Sequence, residues 1–384
     1  MSDAPKHALL PDGLRDGLPP DAAHEAAIIE RLLHVVSAHG YERVDPPLVE
    51  FEDSLLHGAG IDVELSTFRL MDPVSQRMMG VRADITPQVA RIAVTRLAKA
   101  PRPLRLSYAG PVLRVRGDQL RPERQFHEVG VELLGTDRAA ADVEVIALAA
   151  EALMSVGVPD LSVDINLPTL TSTVCEVFAL DEANAAAARM ALDRKDAAAL
   201  RLLDSPVAEL LGGLLGAAGP ADHALAALNQ VDLPAAAKDD SLRLAEVVHQ
   251  VSQAMPNLVL TVDPVENRGF EYHTGLSFTL FAKEARGSLG RGGRYLVGGG
   301  SEPATGFTLF LDSIARVARP AMAGHKVFLP FGTPAKSGRD LREEGWTTVA
   351  GLDAGAEAAT EAARLNCSHL LVDDYPAVIT KNNE

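Results

Sequence analysis

Cysteine and long apolar runs are scarce in this sequence, and each scarcity excludes a class of protein. Cys175 and Cys367 are its two cysteines. They lie far apart and outside any CxxC or Cys/His spacing, so neither a disulfide framework nor a zinc site is indicated. No apolar run approaches the roughly 20 residues of a membrane span, and the N-terminus lacks an apolar stretch suited to a signal peptide. We therefore expect a cytoplasmic protein with buried or idle thiols and no membrane contact.

Positive charge is also scarce, which argues against a nucleic-acid-binding surface. Lysine and arginine total 36 against 52 aspartate and glutamate residues, which gives a formal net charge of -16. Non-specific binding to nucleic acid needs clustered lysine and arginine to displace counterions from phosphates. We therefore expect no nucleic-acid partner. With 384 residues, 47% of them hydrophobic, the chain can form two or three globular domains.

The motifs that commonly mark catalysis or cofactor binding are missing. The sequence contains no HExxH, no EF-hand pattern and no Ser/His/Asp grouping. The stretch "GSLGRGGRYLVGGG" lacks the Lys followed by Ser or Thr that a Walker loop uses on phosphates. Its glycines fit close backbone packing or a hairpin near a ligand. We predict no cofactor and no metal site.

Changes in periodicity divide the chain into four segments. Residues 1–167 mix helical and strand patterns, and "TPQVARIAVTRLAKA" within them is typical of a helix. Residues 168–256 are rich in Ala and Leu with almost no strand signal, which indicates an inserted helical unit. Strand pattern returns in residues 257–320. In residues 321–384 strands alternate with helical stretches, which predicts a small α/β domain with a parallel sheet.

The segment from Leu104 to Leu134 alternates like two antiparallel strands around a loop. Successive strand residues point to opposite faces, so Glu128, Gly130 and Glu132 share one side. A glycine between two carboxylates leaves room for an amine or imidazolium to approach the sheet. The alternative is a solvated strand face whose acidic side chains balance the positive charge of the loop arginines across the hairpin. The residues alone leave both interpretations open.

Two other groups of polar residues also have both a ligand-binding and a purely structural interpretation. Arg114 shares a strand face with Arg116, and a guanidinium is a planar fork that matches carboxylate or phosphate. "ENRGFEYHTG" places Arg268 just before a strand that carries Tyr272 and His273. This cluster could line a polar pocket. The alternatives are solvated loop arginines and a histidine that is hydrogen-bonded for structural reasons.

Taken in order, these segments resemble the catalytic core of the class II histidyl-tRNA synthetase family over roughly residues 10 to 320. "GYERVDPPLVE" is similar to the dimer-forming first motif, with Pro47 at the motif proline. "YAGPVLRVRGDQLRPERQFHEVGVELLG" resembles the second motif, "RGFEYHTG" the family's "RGLDYYTG", and "PATGFTLFLDSI" the run into the third motif. The resemblance implies an α+β fold: an antiparallel sheet flanked by helices, with a helical insertion and a small C-terminal α/β domain.

The resemblance also implies a histidine pocket, in which acids and a hydroxyl hold the amino group and imidazole while arginines hold carboxylates. Carried over by position, the pocket residues are Asp84, Thr86, Arg114, Glu128, Glu132, Arg268, Tyr272 and His273. Asp84 stands where the family has Glu, Glu128 where it has Gln, and His273 where it has a second Tyr. We expect an altered histidine site, because all three positions stay polar.

The ATP side departs further from the family pattern. Arg116 stands where the second motif has a glutamate that helps read adenine. In the third motif, Phe310 replaces a glycine and Ser313 replaces an arginine that helps bind the triphosphate, which removes a contact worth about 1.5 to 3 kcal/mol. Together these changes imply that amino-acid activation is lost. The C-terminal segment of about sixty residues is also short for an anticodon-binding domain.

This combination is similar to that of a paralogous family, the regulatory subunits of ATP phosphoribosyltransferase. The resemblance implies a non-catalytic subunit that forms a homodimer within a hetero-oligomer with a short-form catalytic subunit. That assembly would carry feedback by L-histidine to the first step of histidine biosynthesis. The alternatives are a divergent histidyl-tRNA synthetase or related amino-acid ligase, and an adaptor that binds no small ligand.

Overall fold

The computed structural model describes residues 9–56, 61–117, 121–203, 205–266, 273–297, 299–320 and 324–379. Contacts between Cα atoms divide the chain into two compact units, Met1–Arg319 and Pro320–Glu384. Each unit is described by itself.

Twelve strands are described in the first unit. They are β1 (Glu42–Arg43), β2 (Val49–Phe51), β3 (Phe68–Met71), β4 (Met78–Val81), β5 (Leu104–Leu113), β6 (Gln125–Leu134), β7 (Leu161–Asn166), β8 (Gly219–Pro220), β9 (Val259–Asp263), β10 (Ser277–Ala282), β11 (Gly290–Val297) and β12 (Glu302–Phe310).

Twelve helices are described in this unit. They are α1 (Asp21–Ala38), α2 (Glu52–Leu55), α3 (Ile61–Ser66), α4 (Thr86–Thr95), α5 (Ala139–Ser155), α6 (Pro168–Val177), α7 (Glu182–Asp193), α8 (Ala197–Leu200), α9 (Ser205–Gly216), α10 (Ala221–Leu228), α11 (Ala235–Ala254) and α12 (Leu311–Ile314). Within the described part of the chain, none of the helices combines the length and apolar content that a membrane crossing requires.

Nine strands form one sheet in the order β1-β5-β6-β12-β11-β10-β7-β9-β8. The six strands from β5 to β7 in this order pair antiparallel. The outer pairs β1·β5 and β7·β9 are parallel, and the short β8 closes one edge. A separate antiparallel sheet has the order β2-β4-β3. The predicted fold class, a largely antiparallel sheet flanked by helices, is confirmed, with parallel pairing added at the edges.

The second unit is the predicted small α/β fold. Its elements are β13 (Lys326–Leu329), α13 (Ala335–Glu343), β14 (Thr347–Ala350), α14 (Ala358–Arg364), β15 (His369–Val372) and β16 (Tyr375–Val378). β13 pairs parallel with β14 and with β15, and α13 and α14 are the connecting helices. The last strand, β16, adds an antiparallel edge that differs from the purely parallel sheet predicted from the sequence.

The predicted hairpin is confirmed as β5 and β6, whose register pairs Leu104 with Leu134. Alternation along β6 sends its two faces into different surroundings. Val129 and Val131 belong to the large apolar cluster that includes residues of α1 and α5. Phe126 and Leu134 belong to a second cluster that includes residues of α4. Every side chain of β6 from Glu128 onward is therefore buried, on one face or the other.

Both cysteines are buried and unpaired, as predicted. Cys175 on α6 packs in the large apolar cluster, and Cys367 packs beside Phe328 in the second unit. Burial raises the pKa of both thiols, which keeps them in the unreactive protonated form at neutral pH.

Glycines in β11 permit close backbone packing, as "GRGGRY" suggested. A Cβ built on Gly292 would overlap the Gly306 carbonyl oxygen and lie 2.5 Å from Phe278 Cζ. We expect Gly292→Ala to lower the free energy of unfolding by about 1 to 3 kcal/mol, because neighbouring backbone must move. Chemical denaturation monitored by circular dichroism measures this.

Gly212→Ala in α9 is the matched control, since a Cβ there meets nothing within 4 Å. Alanine is favoured over glycine inside a helix by roughly 0.5 to 1 kcal/mol, so stability should stay constant or rise. Equal destabilisation of both variants would contradict this account of Gly292.

Candidate functional site

Two carboxyl groups lie side by side on one face of β6, deep inside the first unit. Glu128 and Glu132 are 0% and 1% exposed. The solvated-face interpretation of these acids is therefore wrong. Burial arises because β6 is central, with β5 on one side and β12 on the other, and because α4 packs in the cluster on this face.

Hydroxyl groups from four elements surround Glu132. Tyr295 on β11 donates to Glu132 Oε2 at 2.7 Å, and Tyr108 on β5 donates to Oε1 at 3.4 Å. The Tyr108 hydroxyl also lies 2.8 Å from Thr308 Oγ1 and 3.1 Å from Thr86 Oγ1. Tyr108, Tyr295 and Thr308 of this buried network were not among the predicted site residues. Thr86 was predicted and lies beside them.

Gly130 does not leave the open gap that its position between the acids suggested. Tyr108 is its register partner on β5, and a Cβ on Gly130 would overlap the Tyr108 hydroxyl and the Phe307 carbonyl oxygen. The space over the glycine is therefore filled by the protein's own tyrosine. Gly306 on β12 has the corresponding role beside Glu132, whose carboxylate occupies the place of a Cβ. These glycines make room for the hydroxyl and carboxyl groups of the network.

Glu128 is held by a different set of partners. Its Oε2 accepts the backbone N–H of Ile85 at 3.2 Å, and its Oε1 lies 3.3 Å from Arg114 Nη2. The same arginine donates through Nε to the Ala83 carbonyl oxygen at 3.2 Å. Asp84 lies between these backbone partners and accepts the N–H of Thr86 at 2.8 Å. The turn before α4 therefore places Asp84 and Thr86 beside the carboxyl groups of β6.

Both glutamates have pKa values raised to about 8. Burial is the main cause for each. The negative charge of Asp84 raises the pKa of Glu128 further, whereas Arg114 opposes the rise. Hydrogen bonds from Tyr295 and Thr86 oppose the rise at Glu132. At neutral pH the two carboxyl groups are thus largely protonated, and a cationic ligand would favour their ionised form.

A small cleft opens onto this network. It is lined by Asp84, Thr86, Glu132, His273, Arg291, Gly292, Gly293, Tyr295, Gly306, Phe307 and Thr308. Of the eight predicted pocket residues, Asp84, Thr86, Glu132 and His273 line the cleft directly. Glu128 and Arg114 are joined to it through the turn before α4, and Arg268 and Tyr272 lie outside the described residues. Among the described residues, no group of three or more potential ligands could hold a metal ion.

Comparison with known proteins decides the family. A histidyl-tRNA synthetase family model matches residues 13–314. An ATP phosphoribosyltransferase regulatory subunit of Rhodospirillum centenum is 56% identical, over 96% of this chain and 95% of its own. One from Paramagnetospirillum magneticum is 54% identical, over 97% and 98%. The chain belongs to the family of ATP phosphoribosyltransferase regulatory subunits.

Solved structures agree with this family on the fold. A Bacillus halodurans protein described as an ATP phosphoribosyltransferase regulatory subunit/histidyl-tRNA synthetase has a TM-score of 0.82 at 22% identity, covering 94% of this chain and 97% of its own. Histidyl-tRNA synthetase from Nostoc has a TM-score of 0.77 at 17% identity, covering 95% and 91%. The expectation of a regulatory subunit that is not itself an enzyme is confirmed by the curated relatives.

In this regulatory subunit, the positions that resemble ATP-binding residues are occupied by its own aromatic and guanidinium groups. Phe310 is 1% exposed and meets Phe126 edge-on, with ring centroids 6.2 Å apart. The Arg121 guanidinium carbon lies 4.0 Å from the Phe310 ring centroid, which is cation–π distance. Arg116 is exposed. A side chain as large as Phe310, fixed from two sides, fills volume that a glycine would leave empty.

The raised carboxyl pKa values predict the direction of a pH effect on stability. A carboxyl whose pKa rises from 4.5 to about 8 on folding binds more protons when folded, so its stabilising contribution is lost as pH rises toward 8. We expect the Tm to fall by several degrees between pH 6 and pH 9. Glu132→Gln should flatten this dependence, because a neutral amide replaces the carboxyl.

Glu246→Gln on the exposed surface of α11 is the control, and it should retain the wild-type slope. Differential scanning calorimetry at five or six pH values measures both variants. A wild-type Tm that rises steadily over this interval would contradict the assignment of neutral carboxyl groups.

Proposed function

We propose that this chain assembles with a short-form ATP phosphoribosyltransferase catalytic subunit and carries feedback by L-histidine to the first step of histidine biosynthesis. The names of relatives at 50–56% identity support the catalytic partner. The observation that supports histidine as the effector is the buried carboxyl group of Glu132 at the cleft, beside Asp84 and within a network of hydroxyls.

The chemistry of the cleft suits the two cationic groups of histidine. An imidazolium and an ammonium each gain from a nearby carboxylate, and charge-assisted hydrogen bonds are roughly twice as strong as neutral ones. Glu132 and Asp84 line the cleft, and Tyr295 fixes the orientation of the Glu132 carboxyl through a 2.7 Å hydrogen bond. The acceptor atoms of Glu132 are thus already oriented by hydrogen bonds.

Regulation requires that histidine prefer one arrangement of the assembly over another. A coupling free energy of about 1 to 3 kcal/mol between the histidine site and the catalytic site would change activity roughly 5- to 150-fold. The site is built on β6, β11 and β12, three adjacent strands of the large sheet. A shift of these strands on ligand binding would reach the elements packed on both faces of the sheet.

Self-association is part of the same proposal. The segment that resembles the family's dimer-forming motif contains Pro47 and leads into β2. Leu48 beside it is 43% exposed. We propose a homodimer within a cytoplasmic hetero-oligomer.

The decisive experiment is co-purification with a short-form catalytic subunit, followed by activity measurements. We expect the complex to be more active than the catalytic subunit alone, and histidine to inhibit it. Glu132→Gln should weaken inhibition by about 10-fold or more, because a buried charged contact to the ligand is lost. Arg268→Ala tests the carried-over arginine, and Glu246→Gln is the surface control.

Three outcomes would count against the proposal. Failure to co-purify would favour an adaptor with other partners. Histidine-dependent ATP/pyrophosphate exchange by the purified chain would show an amino-acid ligase. Unchanged inhibition after both Glu132→Gln and Arg268→Ala would place the histidine site elsewhere.

A further inference from the structure

Arg291 lies in the same row of the sheet as the centre of the site. On β11 it pairs with Thr308 of β12, which pairs with Gly130 of β6, which pairs with Tyr108 of β5. Residues paired directly across strands share a face, so Arg291 faces the same side as the hydroxyl network. It lies two strands from Gly130, a distance of roughly 10 Å across the sheet.

Neighbouring arginines are already engaged. Arg114 pairs with Glu128 and donates to the Ala83 carbonyl oxygen. Arg82 is 3% exposed and donates to the carbonyl oxygens of Pro111 at 2.8 Å and Pro46 at 2.7 Å. Neither guanidinium can turn to a ligand without leaving a buried acceptor unpaired.

Arg291 differs from these arginines in that it makes no hydrogen bond or ion pair with any described residue, although its positive charge acts at longer range to lower the pKa of Glu128. It lines the cleft directly and is half-buried. The other ionisable groups that line the cleft are Asp84, Glu132, His273 and Tyr295. Arg291 is therefore the cation that the described lining presents to a negatively charged ligand group.

A carboxylate entering a partly buried, acid-rich cleft needs such a cation. An unpaired carboxylate there would lose its hydration and meet the negative field of Asp84. A guanidinium offers a planar fork that binds both carboxylate oxygens at once. The acids of the cleft suit the cationic end of an amino acid, and Arg291 suits its anionic end.

We propose that Arg291 binds the α-carboxylate of the ligand and makes the site prefer an amino acid over an analogue that lacks the carboxylate. This inference rests on the proposed function, since it concerns the same cleft. Of the two arginines that the resemblance implies for carboxylate binding, Arg114 and Arg268, it replaces Arg114, which is paired with Glu128, by a residue of the glycine-rich strand.

The test compares two ligands on matched variants. L-histidine carries the carboxylate, and L-histidinol carries a hydroxymethyl group in its place. Isothermal titration calorimetry on the full chain, alone and with the catalytic subunit, gives the dissociation constants. We expect wild-type protein to favour histidine. Arg291→Gln should weaken histidine binding about 10- to 100-fold while changing histidinol binding less than about 3-fold.

Two controls separate binding from folding. Arg291→Lys keeps the positive charge and should restore part of the preference for histidine, and the Tm of each variant checks that it folds. Arg116→Gln removes an exposed arginine that does not line the cleft, so it should bind both ligands as wild type does.

Each outcome decides a separate question. An equal loss of both ligands in Arg291→Gln would indicate a structural role and overturn the inference. Unchanged histidine binding in that variant would overturn it as well, while leaving the proposed function intact. Absence of histidine binding by wild-type protein, alone and in complex, would overturn the proposed function and this inference together.

Discussion

The burial of two carboxyl groups on one face of β6 is the constraint that organises the site. A buried carboxyl group is costly unless it is neutralised or receives hydrogen bonds, and this protein uses both remedies. Tyr295 and Tyr108 donate hydrogen bonds to Glu132. Glu128 accepts a hydrogen bond from the Ile85 backbone N–H and pairs with Arg114. Glycines on β6 and β12 make the space these partners need. The turn before α4, the register of β5 and the close approach of β11 all follow from this requirement.

Much of the fold could be predicted because its signals are local. Alternation between Leu104 and Leu134 is visible within thirty residues, and Thr86 with Pro87 marks a helix start. The helical insertion and the small α/β unit show as changes of composition and period. The parallel pairing of β1 with β5 and of β7 with β9 joins strands separated by long stretches of chain, so no local pattern reports it.

The candidate site was predictable in part, for the same reason. Alternation identifies Glu128 and Glu132 as neighbours on a face, but their burial depends on β12, which begins 168 residues after β6 ends. Thr308 enters the site through that long-range register, whereas Tyr108 enters it through the local register of the hairpin. Arg291 is surrounded by glycines in sequence, which fits close packing or a hairpin near a ligand but does not indicate a strand inside the sheet, where the structure places it. Cross-strand rows, invisible in a linear sequence, determine which polar residues meet.

Both faces of β6 are buried from Glu128 to Leu134, because alternate residues face the apolar core and the polar site. A slip of one residue would drive both carboxyl groups into the apolar cluster of α1 and α5 and turn Val129 and Val131 toward the cleft. An insertion or deletion within the strand is therefore not tolerated, and the strand can change only by substitution.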